Sequence, residues 1–306
     1  MKCPLCGNKK GLIPVMKVAY PEIEYRMIHC PVCGLTFAFP MVEAPKEYYA
    51  EKEWYGERWE FTRVWKIIKR GSGNLLEIGC GEGFFLEKGR GKGYTLYGID
   101  INKEAIKKAK KRIPEAHFHS DFHIPLPKKF PERYNVVCAF HVLEHTDDPI
   151  KFLKNIKYIL IDDGLLFLSV PSPRRAQKFI TGREWWDYPP HHLTWWDEKS
   201  IKNILTKSGF EILSIEFEPL RHKYVNAFVQ KYLRDTFIKK VNKNKGIHTN
   251  GGKAKPSRIK NMTKALFMPL INMITGLIYL FCVIMGRSGQ SMLVIAKVKK
   301  TIDNSA

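Results

Sequence analysis

The stretch that most constrains this chain is Leu75-Leu-Glu-Ile-Gly-Cys-Gly-Glu-Gly-Phe-Phe-Leu86. Its apolar start, preceded by Gly73, reads as a buried strand ending at Ile78, and a helix is expected to begin near Phe84. Between them Gly79, Gly81 and Gly83 form a loop whose backbone can approach a ligand closely, because no Cβ intervenes and positive φ costs little. A strand, a glycine loop and a helix open a βαβ unit, and the residues that follow must then supply parallel strands covered by helices.

Residues 71–218 keep that pattern. Further strands are expected at Leu96–Ile99, His117–His119, Asn135–Phe140, Leu165–Val170 and Glu211–Glu218, with a seventh at Ser291–Lys299. Helices are expected from Lys103 to Arg112, stopped by Pro114, at Pro149–Leu160, and at Glu198–Ser208 with Asp197 as N-cap and Gly209 as stop. The sixth and seventh strands should pair as an antiparallel edge to an otherwise parallel sheet. The expected class is α/β.

The ligand follows from charge. The spacing is GxGxG rather than the GxGxxG of dinucleotide sites, and Glu77 stands two residues before the first glycine. A carboxylate there argues against a phosphate and for a cation, such as the amino group or sulfonium of S-adenosylmethionine. Asp100 ends the second strand about 20 residues after the loop, where a carboxylate can accept both ribose hydroxyls. Ser120-Asp121-Phe122 follows the third strand and places a carboxylate and a ring near the adenine.

Together, Glu77–Gly83, Asp100, Asp121 and Ala139-Phe-His-Val-Leu-Glu-His145 resemble the motifs of class I S-adenosylmethionine-dependent methyltransferases. The subgroup they resemble most is the one similar to ubiquinone-biosynthesis O-methyltransferases, many of which carry an N-terminal zinc ribbon and serve surface-polysaccharide pathways. The resemblance covers about residues 1–218 plus the last strand. It implies a Rossmann-like seven-stranded methyltransferase sheet in which Glu77, Gly79, Gly81 and Gly83 hold the methionine moiety and Asp100 holds the ribose. It also implies that Asp121 and Phe122 flank the adenine, that His141 sits under the cofactor, and that Cys80 and Ile101 belong to the same cofactor-binding set.

Methyl transfer asks the protein to align donor and acceptor, and to remove a proton where the acceptor is a hydroxyl. Histidine is the economical base. The candidates are His145 and the pair His191 and His192, in Trp185-Trp-Asp-Tyr-Pro-Pro-His-His-Leu-Thr-Trp-Trp196. Those rings suggest an apolar, partly closed acceptor pocket; the competing reading is that they pack the loop against the helix at 198–208. His141-Val-Leu-Glu-His145 also matches the HxxEH pattern of zinc proteases, but it straddles a strand end, where a protease needs a helix and a further ligand. Glu144 and His145 could instead cap the helix that follows. The fourth strand lacks the Asn-Pro-Pro-aromatic motif of amino-group methyltransferases, and Cys138 lies mid-strand, where a thiolate mechanism is disfavoured. An oxygen acceptor fits best.

Upstream, Cys3-x-x-Cys6 and Cys30-x-x-Cys33 are two knuckles, each followed by glycine and separated by 23 residues. Four thiolates at this spacing make a closed, structural zinc ribbon, with His29 as an alternative ligand. The run Val18–Ile28 between them carries few basic residues, which lowers a nucleic-acid role. The remaining cysteines, Cys80, Cys138 and Cys282, are scattered singly. This usage suits a reducing cytoplasm, and the opening MKCPLCGNKK is not a cleavable signal peptide.

The net charge of +21 should attract something anionic, with nucleic acid, anionic lipid headgroups and a phosphorylated carrier all qualifying on charge alone. Twelve Lys/Arg, among them Lys239, Lys240, Lys243, Lys245, Lys253, Lys255 and Arg258, against the single acid Asp235 fall within 222–264. Ala265–Gly286 then runs 22 residues without charge, which as a helix spans about 33 Å and satisfies a transmembrane length. A single crossing would strand the last strand on the far side of the bilayer. The segment is therefore expected to lie in the interface, to enter and return around Pro269 or Gly276, or to pack as a helix pair or on another subunit, with its basic flanks on anionic lipid.

The organisation read from sequence is a zinc ribbon (1–40), a helical linker or cap (41–70), a methyltransferase core (71–218), a basic and apolar helical insertion (219–290) and a last strand and tail (291–306). The function expected is O-methylation of a lipid-linked or glycan-like acceptor at the inner, cytoplasmic face of a membrane, with structural zinc. An RNA methyltransferase and a non-catalytic cofactor-binding adaptor are the alternatives.

Overall fold

The computed structural model describes residues 1–20, 22–43, 45, 56–121, 125–245 and 258–299. These divide into two compact units. The first comprises Met1–Pro173, Trp185–Glu218 and the chain from Ser291 onward; the second comprises Arg174–Glu184 and Pro219–Gln290.

In the first unit β1 (Ile13–Tyr20), β2 (Ile23–His29) and β3 (Thr36–Phe39) form an antiparallel sheet. Helix α1 (Trp59–Ile68) follows; residues 44 and 46–55 of the expected linker or cap lie outside the described residues. Then come β4 (Gly73–Ile78), α2 (Phe84–Glu87), β5 (Tyr94–Ile99), α3 (Lys103–Arg112), β6 (His117–His119) and β7 (Tyr134–Phe140). A 3-10 turn at Leu143–His145 leads to α4 (Pro149–Ile159) and β8 (Leu160–Pro171). In the second unit α5 spans Ala176–Thr181. Back in the first, β9 (Thr194–Trp195), α6 (Glu198–Lys207) and β10 (Phe210–Phe217) follow. The second unit resumes with α7 (His222–Lys245) and α8 (Arg258–Ile284), and β11 (Ser291–Val298) returns to the first.

The main sheet has seven strands in the order β10-β11-β8-β7-β4-β5-β6. Pairs β4–β5, β4–β7, β5–β6 and β7–β8 are parallel, whereas β11 pairs antiparallel with both β8 and β10. Along β4 successive side chains take opposite faces. Leu75 packs with Phe61, Trp65 and Phe85, while Leu76 and Ile78 join Leu153, Ile156 and Leu205. Ribbon residues Leu35 and Phe37 belong to that second cluster, so the N-terminal sheet shares a core with the main one.

Local expectations meet the structure closely where a cap fixes them. Asp197 accepts from Ser200 N and Ser200 Oγ closes the capping box; Gly209 stops α6 at φ +85. Helix α4, by contrast, is capped by Asp148, which accepts from Lys151 N, so Glu144 and His145 do not cap it. The insertion also differs from one expected arrangement: α8 runs as one helix through Pro269 and Gly276, so the chain does not turn back there. Among the described residues no helix is long and apolar enough to cross a membrane.

In the second unit α5, α7 and α8 pack around Ala176, Val225, Val229 and Cys282, with Ile180, Leu220, Ile278 and Tyr279 at the margin. The opposite stripe of α8, Met273, Leu277, Leu280, Phe281 and Ile284, is exposed.

Candidate active site

The parallel strands β4, β5 and β7 end together, and the residues just past them make the site. After β4, Gly79, Gly81 and Gly83 adopt φ of +76, +50 and +83. A Cβ on Gly79 would come within 2.5 Å of Val142 Cγ2, so this turn requires glycine for space as well as for φ. Gly79 N and Cys80 N both donate to Ile99 O, which draws the loop onto β5.

Asp100, just past β5, latches the same loop. Its Oδ2 accepts from Gly81 N at 2.7 Å and its Oδ1 from Asn102 N at 2.8 Å. Each oxygen keeps a second acceptor site, so the latch leaves capacity for hydroxyl donors. Burial pushes the Asp100 carboxyl up, against the lowering effect of those amides. Glu77 is fully buried at the end of β4. Burial first, and the neighbouring Asp100 charge second, push its carboxyl well above the usual range. Glu77 Oε2 has no hydrogen-bond partner among the described residues. Two carboxylates held this way, one incompletely satisfied, leave a place for a cation. Cys80 is buried beside them, Ile101 is exposed, and Asp121 follows β6; Phe122 lies outside the described residues.

Past β7, His141 sits at φ +54, a conformation non-glycine residues adopt mainly where their surroundings enforce it. The surroundings here are two buried carboxylates. His141 Nδ1 lies 3.1 Å from Glu144 Oε1, and Nε2 lies 3.3 Å from Glu60 Oε1 and 3.0 Å from Ser291 Oγ. Burial disfavours charge on all three groups, but their mutual hydrogen bonds outweigh it, raising His141 and lowering Glu60 and Glu144. The mutual hydrogen bonds of the triad thus favour the proton on His141 and the charge on both carboxylates.

Sequence reasoning missed Glu60. The signal was present, since Glu60 lies on the buried face of α1 with Phe61, Val64, Trp65 and Ile68, and an acid on an apolar stripe needs a partner.

The structure brings His145, His191 and His192 together. Their ring centroids lie 4.6, 4.9 and 4.7 Å apart, with His191 and His192 stacked and His145 edge-on to both. His145 Nδ1 lies 2.5 Å from His191 O, and Asp187 Oδ1 is 3.7 Å from His192 Nδ1. Burial depresses His145. Most of Asp187–Trp196 is buried, although Trp185 is half exposed.

This histidine loop is held from two sides. Leu193 N donates to Glu144 O, and Leu193 O accepts from Ala38 N. Strand β9 then continues the ribbon sheet, pairing Thr36 with Trp195 and Phe37 with Thr194. The HxxEH residues do not form a helical ligand pair, because residues 141–145 run from a strand end into a 3-10 turn and His141 is engaged by Glu60 and Ser291.

In the ribbon, Cys3 Sγ lies 3.5 Å from Cys33 Sγ and Cys6 Sγ 3.6 Å from Cys30 Sγ, and all four sulfurs fall within 4.8 Å of one another. A tetrahedral zinc with Zn–S of about 2.3 Å sets its sulfurs about 3.8 Å apart, so the cluster could hold one. His29 instead contacts Thr36 Oγ1 at 3.1 Å.

Residues 57–215, a little over half the chain, match the family profile described as a methyltransferase domain. A ubiquinone biosynthesis O-methyltransferase of Actinobacillus pleuropneumoniae serotype 5b (strain L20) is 30% identical over 103 residues, 31% of this chain and 44% of that protein. Another with the same name, from Coxiella burnetii (strain Dugway 5J108-111), is 25% identical over 169 residues, 49% of this chain and 70% of that one. The chain thus spans less than half of the first relative and about two thirds of the second. Among solved structures, the [4+2]-cyclase SpnF aligns at a TM-score of 0.50 with 15% identity, over 82% of this chain and 86% of that chain, a likeness of fold alone.

Proposed function

Since the chain belongs to the methyltransferase domain family, as an S-adenosylmethionine-dependent methyltransferase, we propose that it methylates an oxygen of a small lipid-linked or glycan-like acceptor. The observation that carries this reading is the gathering of three imidazoles past the end of β7, beside the residues that fit the cofactor. An imidazole suits an acceptor whose hydroxyl must lose a proton, and burial of His145 disfavours its charged form. The curated relatives carry O-methyltransferase names.

The residues present fit the cofactor. Glu77, buried with one carboxylate oxygen unsatisfied among the described residues, suits its cationic end. The Gly79–Gly83 loop admits close approach of the methionine moiety, and Asp100 retains acceptor capacity for the ribose. Asp121 and Phe122 take the adenine end, and His141, fixed by Glu60 and Glu144, lines the floor. When bound, S-adenosylmethionine supplies an electrophilic methyl carbon on a sulfonium that leaves as a thioether. The histidine cluster takes the acceptor hydroxyl and its proton, and the loop Trp185–Trp196 orients it. Four thiolates bind zinc in the ribbon, where the ion is structural.

The basic and apolar segment 222–286 contacts an anionic membrane surface from the cytoplasmic side. Support comes from the exposed apolar stripe of α8 and the excess of Lys/Arg before it.

The test is calorimetric binding of S-adenosylmethionine to the full chain, followed by turnover against hydroxylated aromatic lipids and glycans. Asp100→Ala is expected to weaken cofactor binding at least about tenfold, the cost of about 1.4 kcal/mol of lost hydrogen bonding. Absence of cofactor binding would sink the reading. Turnover only on RNA, with salt-sensitive RNA binding, would replace the acceptor class.

A further inference from the structure

Outside the cysteine cluster, one other group of ligand-type side chains converges among the described residues. His145, His191 and His192 each offer a ring nitrogen within 4.8 Å of the others. We propose that these three histidines form a second metal site, distinct from the ribbon, which binds a divalent cation of the zinc type and presents an open coordination position to the acceptor oxygen. The proposal rests on the methyltransferase reading above and replaces direct proton transfer to an imidazole with activation of the acceptor hydroxyl on the metal.

Four features of the site support it. A tetrahedral ion with Zn–N of about 2.0–2.1 Å holds its nitrogens about 3.3 Å apart, so a contraction of at most about 1.5 Å, with His191 or His192 turned out of their stacked arrangement, closes the site. His145 Nδ1 contacts His191 O, which orients the ring through a backbone carbonyl, the usual support for a metal-bound histidine. That bond also ties two of the ligand residues to each other.

Charge is the third feature. Asp187 Oδ1 lies 3.7 Å from one nitrogen of His192, and Glu144 Oε1 lies 4.0 Å from the other. Both carboxylates are buried, and Glu144 Oε2 has no hydrogen-bond partner among the described residues. Buried anions beside three imidazoles lower the cost of bringing a dication into the interior.

The fourth feature is preorganisation. Leu193, next to His192, is bonded to Glu144 on one side and to Ala38 of the ribbon on the other, so the ligands sit on a backbone fixed from both sides. Three nitrogen ligands leave a fourth position for water or an acceptor hydroxyl, the arrangement of a catalytic ion, in contrast to the four closed thiolates of the ribbon. Imidazoles favour zinc, cobalt, nickel, iron(II) or copper over magnesium and calcium. A hydroxyl bound to such an ion has a lowered pKa and releases its proton to water near neutral pH.

Titration of metal-stripped full-length protein with Co2+ separates the two sites. Two equivalents are expected, one with intense thiolate-to-metal charge-transfer bands from the cysteines and one with only the weak visible bands of nitrogen and oxygen ligands. His145→Gln and His192→Gln should each keep the thiolate bands and weaken the second equivalent more than about a hundredfold, beyond what loss of an outer-shell partner costs. Wild-type protein that takes up only the thiolate-bound equivalent overturns the site, as does a second equivalent that persists in both variants. S-adenosylmethionine binding measured on the same samples keeps the two proposals apart: intact cofactor binding with a single metal leaves the methyltransferase reading standing and removes only the second site.

Discussion

On the proposed reading of the site, Glu77 trades stability for binding. A carboxylate buried at the end of β4, beside Asp100 and without a full set of donors, destabilises the cofactor-free protein whenever it is ionised. The sign follows from proton linkage. Because the folded-state pKa lies above the ordinary 4.5, the native protein holds more protons than the unfolded chain between 4.5 and that raised value. Apo stability therefore falls as pH rises through this window. Glu77→Gln removes the penalty, and its apo Tm at neutral pH should exceed wild type by about 2–4 °C, the shift about 1 kcal/mol gives in a domain of 150–250 residues. The same change removes the counter-charge for the cofactor and should weaken its binding at least about tenfold. Thermal melts from pH 4.5 to 8, with and without S-adenosylmethionine, read both effects. A variant less stable than wild type without cofactor, or equal to it in affinity, would show that Glu77 is an ordinary core acid. Glu77, Asp100 and the glycines were legible because their types and spacing are local. Glu60 was harder to see, since its partners His141 and Ser291 are remote in sequence.

At the scale of elements, the ribbon does more than close the N-terminus. Strand β9 is only two residues long and carries no alternation of its own, so nothing in Trp185–Trp196 announces a strand. It exists because β3 offers a free edge, and the pairing pins the backbone beside His191 and His192. Removing the ribbon metal should therefore act on the histidine loop before it acts on the cofactor site. In a Cys3→Ser, Cys33→Ser variant, which loses the ribbon site and keeps the three histidines, amide exchange at Ala38, Leu193 and Thr194 should accelerate at least about tenfold, as local opening becomes cheaper. Cofactor affinity should stay within about twofold while turnover is lost. Unchanged exchange at Ala38 would separate ribbon from loop and falsify the coupling. Six of the seven main strands were visible in sequence because each carries apolar residues bounded by turn residues, whereas β6, also expected at His117–His119, has Phe118 alone between two histidines. Strand β8 begins earlier than expected, at Leu160, because Asp162, Asp163 and Gly164 interrupt the apolar pattern although the backbone still pairs, Tyr134 with Leu160.

At the scale of the whole molecule, the larger part of the second unit, Pro219–Gln290, is an insertion between two paired strands. Glu218 N donates to Ser291 O, so the chain departs after β10 and resumes at β11 from adjacent points of one antiparallel pair. A segment with both ends on the same strand pair cannot cross a bilayer once, in keeping with the absence, among the described residues, of a helix long and apolar enough to do so. Helix α8 nevertheless carries two apolar stripes. Thr275, Ile278, Tyr279 and Cys282 face the unit's own core, while Met273, Leu277, Leu280, Phe281 and Ile284, spaced at three and four residues on the opposite face, remain exposed. The proposed membrane contact would use that stripe together with the twelve Lys/Arg of 222–264, since each basic residue near an anionic surface contributes about 1 kcal/mol and apolar side chains add burial. Full-length protein should sediment with phosphatidylglycerol vesicles and not with phosphatidylcholine ones, and the binding should weaken as salt rises past a few hundred millimolar. The double change Leu277→Glu and Leu280→Glu places two charges on the stripe without touching the packed face, and should reduce vesicle binding at least about tenfold while cofactor affinity stays at the wild-type value. If the variant binds vesicles as wild type does, or if light scattering shows the wild-type stripe covered by a second copy of the chain, the exposed face serves association between proteins and the acceptor reaches the site from solution.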